Sequence, residues 1–255
     1  MKRRIFFAVL IVIAVALITV GMIMEVRHLQ IKSYEKNAIY LPAGFTITAH
    51  TGCNNTKDNS IASMKTGVSY GADIVEFDVS IYNGEPVMSH DTPKGNELSV
   101  KEAFDFLSSQ DTTKANVDLK TSENISKIYT YAKTYKVTNK IFFTGVEDVD
   151  VANVKEQCPG IPYYLNISID KSKNEDDAYI SSLISKVRNF GAVGINANYK
   201  GGSAKLTQEF QNSGLLVSYW GANDELSLNK VLEFSPDNIT TKDPKMLTEI
   251  IKKRS

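Results

Sequence analysis

From residue 45 onward the chain alternates eight times between a short run of β-branched and aromatic residues and a longer segment whose apolar positions recur at helical spacing, with brief polar joints between them. A strand followed by a helix that returns the chain for the next strand in the same sense builds a parallel sheet covered by helices. The spacing predicts strands at Phe45–Ala49, Ile74–Val79, Ala115–Leu119, Ile141–Thr144, Tyr163–Ile167, Ala192–Asn196, Leu215–Tyr219 and Asn238–Thr241. Helices are expected at 59–70, 99–109, 122–136, 147–157, 175–190, 204–212, 224–234 and 243–252. Asp224 ahead of Glu225 reads as an N-cap, and Pro244 after Asp243 as a first helical position. Eight such units in about 210 residues fit an α/β architecture, a (β/α)8 barrel near the lower end of its size range. A doubly wound open sheet is the alternative, but Gly52 stands alone where that fold carries a glycine-rich phosphate loop. One element departs from the repetition: Tyr82-Asn83-Gly84-Glu85 is an Asn-Gly hairpin signal that carries the chain back toward His90.

A different kind of sequence precedes the repeats. Ile5 to Met24 is a stretch without charge; about twenty residues at ~1.5 Å each cross a ~30 Å hydrocarbon layer. It is expected to be a single transmembrane helix. Lys2, Arg3 and Arg4 in front of it place the N-terminus in the cytoplasm and the rest outside the cell membrane. A cleaved signal peptide is the alternative, disfavoured because the run exceeds the usual ~7–15 residue core and no Ala-x-Ala-like site follows. The expected organisation is therefore a cytoplasmic tip and anchor over 1–24, a stalk over 25–44 reaching at most ~65 Å at ~3.3 Å per residue, and the barrel over 45–255. The closing Lys252-Lys253-Arg254 reads as a solvated tail.

The chain has 29 basic and 29 acidic side chains, so no net field favours nucleic acid or another polyanion as partner. Cys53 and Cys158 fall at opposite ends of such a barrel, too far apart to bridge, and are expected as free packing thiols.

The chemistry is concentrated in AHTGCNNTKDNSIASMKTGVSYGADIVEFDVSIYNGEPVMSHD, from Ala49 to Asp91. His50, Glu76, Asp78 and His90 all fall where strands end, the side of parallel α/β folds that carries active sites. Residues i and i+2 of a strand share a face, so Glu76 and Asp78 present two carboxylates together, and Asp118 and Lys120 repeat the spacing on the next unit. Three carboxylates on neighbouring strands can hold Mg²⁺ or Ca²⁺, hard ions that prefer oxygen. Imidazole both takes and gives a proton near neutrality. An isolated Glu-x-Asp is more often a solvated strand end and a lone His more often packing; here both histidines of the barrel segment sit beside the acids. Trp220 closes the seventh expected strand, as a core residue or a pocket wall. Asn166 and Asn196 close two others and are candidates for substrate hydroxyls.

AHTG, GADIVEFDVSIYNGEPVMSHD, NVDLK and GLLVSYWGANDELSLNKVLEFSPDNITTKDPKML follow one another in an order that resembles the conserved blocks of the glycerophosphodiester phosphodiesterases. The resemblance spans most of 45–250, with the Glu-Phe-Asp to Ser-His-Asp block its most specific part. It implies a TIM barrel that hydrolyses a glycerophosphodiester to sn-glycerol 3-phosphate and an alcohol with a divalent metal. By that resemblance His50 and His90 match the acid/base pair, while Glu76, Asp78 and Asp118 match the metal ligands. Lys120 and Trp220 match substrate-binding positions, and Thr51 stands where the family carries arginine. Thr51 offers a neutral hydrogen bond in place of a bidentate guanidinium, and Lys120 or Lys57 is expected to supply the missing charge. Asp118 replaces the usual glutamate, one methylene shorter. The small insertion domain that many members carry after the His-Asp is absent, since Thr92–Glu97 leads directly to the next helix. A more open pocket beside a membrane suits a small-molecule or a lipid-derived phosphodiester. Two other readings stand beside this one: a lipid-directed phosphodiesterase of the same barrel type, and a membrane-anchored binding module with impaired catalysis.

Overall fold

The computed structural model describes residues 2–255, with the side chains of 2–11 and 14 outside the description. One sheet contains β1 (Thr46–Ala49), β2 (Ile74–Tyr82), β3 (Glu85–Met88), β4 (Lys114–Leu119), β5 (Ile141–Val146), β6 (Tyr163–Asn166), β7 (Gly194–Asn198), β8 (Leu216–Trp220) and β9 (Asn238–Thr241). All but β3 run parallel, and β1 pairs with both β2 and β9, which closes the sheet into an eight-stranded barrel and excludes the open doubly wound alternative. The expected hairpin is present: Asn83 and Gly84 both have positive φ, the geometry of a two-residue primed turn, and β3 returns antiparallel along β2.

Helices follow the strands in the expected places: α2 (Ile61–Ser69), α3 (Val100–Ser108), α4 (Ser126–Thr134), α5 (Val151–Gln157), α6 (Asp177–Phe190), α7 (Ala204–Asn212), α8 (Glu225–Leu232) and α9 (Pro244–Arg254). Asp224 caps α8 in a reciprocal capping box with Ser227, and Asp243 caps α9 with Pro244 in the first turn. Both cysteines are free and buried.

The strands alternate in a way that the run of apolar letters conceals. Their outward residues pack under the helices, as Phe77 does edge-on against Phe104 of α3 at 6.4 Å. Their inward residues are polar and bonded to one another. Thr48 Oγ1 donates to Asn238 Oδ1 (2.7 Å), Asn238 Nδ2 to Ser218 Oγ (2.9 Å), Ser218 Oγ to Asn196 Oδ1 (3.0 Å) and Asn196 Nδ2 to Asn166 Oδ1 (3.1 Å). Buried polar groups cost little only when so paired. Two residues toward the strand starts, the Phe142 and Tyr164 rings meet at 5.3 Å, tilted by 59° to each other, beneath this layer.

The N-terminal region differs from expectation in two respects. Helix α1 (Lys2–Tyr34) runs unbroken through the first half of the expected stalk and lies against α8. Arg27 Nη2 pairs with Asp224 Oδ1 at 2.7 Å, and Glu35, just past the helix end, accepts from Lys253. The expected solvated tail is part of the same contact, because Arg254 is 3% exposed and bonds Glu233, Asn229 Oδ1 and the Asn37 carbonyl. A guanidinium with acceptors on every side loses water without losing hydrogen bonds, which is why this end of α9 is buried. Among the described residues no helix is long and apolar enough to cross a membrane. Of the expected span Ile5–Met24, the side chains of 5–11 and 14 lie outside the described residues.

Candidate active site

β1 ends at Ala49, and the chain turns sharply over the barrel rim. Gly52 makes the turn at φ +73°, its N–H donating to Ser63 Oγ at 2.8 Å; a Cβ there would lie 2.0 Å from Asp58 Oδ1. The turn aims the Thr51 N–H at Glu76 Oε2 (2.7 Å) and sets His50 Nδ1 2.8 Å from the Thr51 carbonyl oxygen. A carbonyl can only accept, so Nδ1 carries a proton and Nε2 of neutral His50 keeps its lone pair. Thr51 is thus buried and used mainly through its backbone, while its hydroxyl accepts from the Asn59 N–H.

On β2, Glu76 and Asp78 point into the barrel, 5% and 3% exposed. Register places Asp78 beside Asp118 and Glu76 beside Asn116 on β4. Asn59 grips Asp78 twice, donating from Nδ2 to Oδ2 (2.9 Å) and accepting the Asp78 N–H on Oδ1 (2.9 Å). Thr144 Oγ1 donates to Asp118 Oδ1 at 2.6 Å. Lys120 Nζ stands 2.8 Å from Asp78 Oδ1 and also pairs with Asp118.

Burial, reinforced by the charges of Asp78 and Asp118, pushes the Glu76 carboxyl well above the usual carboxylate range. For Lys120 burial opposes the charge, but Asp118 and Asp78 outweigh it and hold the ammonium protonated above its ordinary range. One oxygen from each of Glu76, Asp78 and Asp118 lies within 4.8 Å of the others. Three carboxylates faced by one lysine leave negative charge uncompensated, and an all-oxygen set on rigid strands suits a hard divalent cation. These three residues could hold Mg²⁺ or Ca²⁺.

His90 arrives on the loop after β3. The Ser89 N–H donates to the Asp78 carbonyl at 3.1 Å, which ties that loop to the end of β2. The His90 imidazole is exposed, with Nδ1 2.9 Å from Asp91 Oδ1.

Eight residues singled out in the sequence line one cavity of about 440 Å³: His50, Thr51, Glu76, Asp78, His90, Asp118, Lys120 and Trp220. Trp220, at the end of β8 and 39% exposed, is a wall of the mouth and not a core residue. Asn166 and Asn196 reach the same cavity with part of their hydrogen-bonding capacity spent on each other. Lys57 does not line it. The second lysine is Lys242, at the end of β9, whose Nζ is 3.2 Å from Asp58 Oδ1. Its signal in the sequence is its place after Asn238–Thr241, in the Thr-Thr-Lys-Asp-Pro of the closing block. Asn59 was also missed, and only the fold reveals it: it sits at positive φ in a loop that no spacing rule connects to Asp78.

No family model and no curated protein matches the chain. Solved structures do. A Silicibacter pomeroyi protein assigned as a glycerophosphoryl diester phosphodiesterase superposes with a TM-score of 0.69 at 16% identity, over 86% of this chain and 97% of its own. A glycerophosphodiester phosphodiesterase from Agrobacterium tumefaciens does so at 0.65 and 14%, over 82% and 99%. The chain has the fold of the glycerophosphodiester phosphodiesterases. An Oleispira antarctica phosphodiesterase of the same fold, in complex with the product sn-glycerol-3-phosphate, matches at 0.64 and 19% over 83% of this chain and 97% of that one. The likeness expected from the sequence blocks therefore holds at the level of fold.

Proposed function

We propose that this protein is a metal-dependent phosphoric diester hydrolase that cleaves a glycerophosphodiester to sn-glycerol 3-phosphate and an alcohol. The observation that carries this reading is the convergence of His50 and His90 on the cavity that also holds Glu76, Asp78 and Asp118. Glu76, Asp78 and Asp118 hold the divalent ion, which when bound supplies positive charge to the phosphoryl oxygens.

The chain's own groups do the rest. Nε2 of His50, with Nδ1 pinned by the Thr51 carbonyl, takes a proton from the attacking hydroxyl, whether of water or of the neighbouring glycerol carbon. His90, exposed at the outer edge of the cavity, gives a proton to the departing alcohol on its way out. Lys120 and Lys242 face the phosphate and take the place of the family's arginine, while Thr51 contributes hydrogen bonds alone. Trp220 flanks the glycerol. The uncharged run Ile5–Met24 and the basic residues before it support a retained single-pass anchor in the cell membrane, with the barrel outside.

Two departures, Thr51 and Asp118, favour a second reading in which the barrel binds phosphodiesters without cleaving them. Turnover of a panel of glycerophosphodiesters by the wild type, His50→Ala and His90→Ala decides between the two. Hydrolysis needs each variant to lose at least ~10²-fold in kcat with the fold retained. Wild-type turnover in both variants would refute the acid/base roles, and an inactive wild type would favour the binding module.

A further inference from the structure

The barrel rim separates the two ends of a bound diester. His90, which gives a proton to the departing alcohol, is tied to the end of β2 through the Ser89 N–H. Counted round the closed sheet, β7 lies four strands from β2 in either direction, through β1, β9 and β8 or through β4, β5 and β6. It is the strand opposite. Asn198 at its end is the register partner of Trp220 on β8, the side chain that flanks the glycerol. What lies beyond Trp220 therefore faces the substituents of the glycerol, away from the alcohol that leaves past His90.

A polar groove of about 530 Å³ begins there. It shares Asn166, Asn196 and Trp220 with the catalytic cavity and continues between the loops that follow β6 and β7, where Lys171 and Lys200 border it. Asn174, 9% exposed, holds the two loops together. Its Nδ2 donates to the carbonyls of Gly201 (2.8 Å) and Gly202 (3.0 Å), and its backbone carbonyl accepts from Ser203 Oγ (2.8 Å). The loops approach so closely that a Cβ on Gly201 would lie 2.8 Å from the Ile169 carbonyl oxygen. The groove is preformed. Two lysines nearby are neutralised, Lys173 by Asp170 and Lys205 by Asp177. Lys171 and Lys200 pair with no carboxylate among the described residues, and Glu147 is the one acid bordering the groove. Two ammonium groups beside the Asn198 amide and the Ser168 hydroxyl suit a phosphate, whereas free glycerol brings hydroxyls alone.

We infer that this groove is a subsite for a second anion on the glycerol. The favoured substrate is a glycerophosphodiester whose glycerol carries a further phosphate, as in a chain of glycerol phosphate units cut from within. This rests on the hydrolase reading above, with Trp220 flanking the glycerol. In such a cut the P–O bond to the departing alcohol breaks, and overall one water is divided, its hydroxyl going to phosphorus and its proton to the departing oxygen. The phosphomonoester product still bears the second phosphate. The test uses the full-length protein in detergent with Mg²⁺ or Ca²⁺ and two probes: glycerophosphoglycerol, with a single diester, and the linear trimer of glycerol joined by two diesters. The inference predicts a kcat/KM at least ~10-fold higher for the trimer, the gain expected of one charge-assisted contact. The trimer's products, resolved by mass spectrometry, are then glycerol and a glycerophosphoglycerol bearing a new phosphomonoester. Lys171→Met combined with Lys200→Met is expected to abolish the trimer's advantage, and Lys173→Met, outside the groove, to preserve it. Equal kcat/KM for the two probes, or release of a glycerol phosphate and glycerophosphoglycerol from the trimer, would overturn the inference and leave the hydrolase reading standing. An advantage that survives the double substitution would also overturn it. Hydrolysis of neither probe would overturn the hydrolase reading and this substrate class with it.

Discussion

Asp78 and Asp118 are register partners on adjacent parallel strands, and the Lys120 ammonium bridges them, 2.8 Å from Asp78 Oδ1 and paired with Asp118 as well. A parallel ladder sets such side chains alongside one another in the low-dielectric interior, where their repulsion demands a cation. Lys120 supplies one positive charge to three carboxylates. Replacing it with methionine keeps the bulk and removes the charge. Lys120→Met is expected to lower kcat for glycerophosphodiester hydrolysis by ~10²-fold, in line with loss of one charged stabiliser of the transition state, with the far-ultraviolet circular dichroism unchanged. A kcat within twofold of wild type would show that the lysine is only a strut.

Gly145 governs how closely β5 approaches the site. It has φ +72°, and a Cβ there would fall 2.2 Å from the Leu119 carbonyl oxygen and 3.0 Å from Asp118 Oδ1. Gly145→Ala is expected to destabilise the fold by about 1–3 kcal/mol, read from the urea midpoint, and to weaken Mg²⁺ or Ca²⁺ affinity measured calorimetrically. Gly84→Ala, at positive φ but with open space around it, should reproduce part of the stability loss and none of the change in metal affinity.

Glu76 sets the pH dependence of the metal-free protein. Its folded-state pKa lies above the unfolded value, because burial and the neighbouring Asp78 and Asp118 disfavour its charge. The folded form then binds more protons than the unfolded form across that interval. Its contribution to stability is fully present below the unfolded pKa and is lost as pH rises through the folded pKa. In chelator, wild-type stability is expected to fall relative to Glu76→Gln, which lacks the proton, as pH rises above the ordinary carboxylate range. Parallel pH profiles for the two proteins would contradict the electrostatic account of the site.

The two thiols are inert in the folded state. Cys53 and Cys158 are 0% and 1% exposed, and burial pushes both up, Cys158 to about 12. A disulfide reagent at pH 8 should find no reactive thiol in the native protein and two per chain in denaturant, since the thiolate is the reactive form. Rapid native labelling of either residue would contradict the packing around it.

The barrel was legible because each βα unit is short and punctuated, and because the departure from repetition announced itself as Asn83-Gly84. The carboxylates were legible because strand periodicity is strict: Glu76 and Asp78 must share a face, and Asp118 lies at the same depth on the next strand. Contacts made by loops followed no such rule. Asn59 reaches Asp78 from a segment whose conformation depends on the turn at Gly52, and Lys242 replaces Lys57 because the loop after β1 folds outward at Lys57 while β9 aims its end at the cavity. The inward polar layer from Thr48 to Asn166 was hidden by flanking apolar residues that face the helices. Arg254 misled for a related reason: a basic C-terminal run looks solvated until α1 covers it.

The central claim is that five side chains gathered at one end of the barrel make a metal-dependent phosphodiesterase. Phosphorus nuclear magnetic resonance of glycerophosphocholine mixed with the full-length protein in detergent tests it most directly. The account predicts that the diester signal gives way to that of a glycerol phosphate monoester in Mg²⁺ or Ca²⁺, stops in chelator and resumes when the ion is restored. A diester signal that persists with every divalent ion, or that decays at the same rate in chelator, would contradict it.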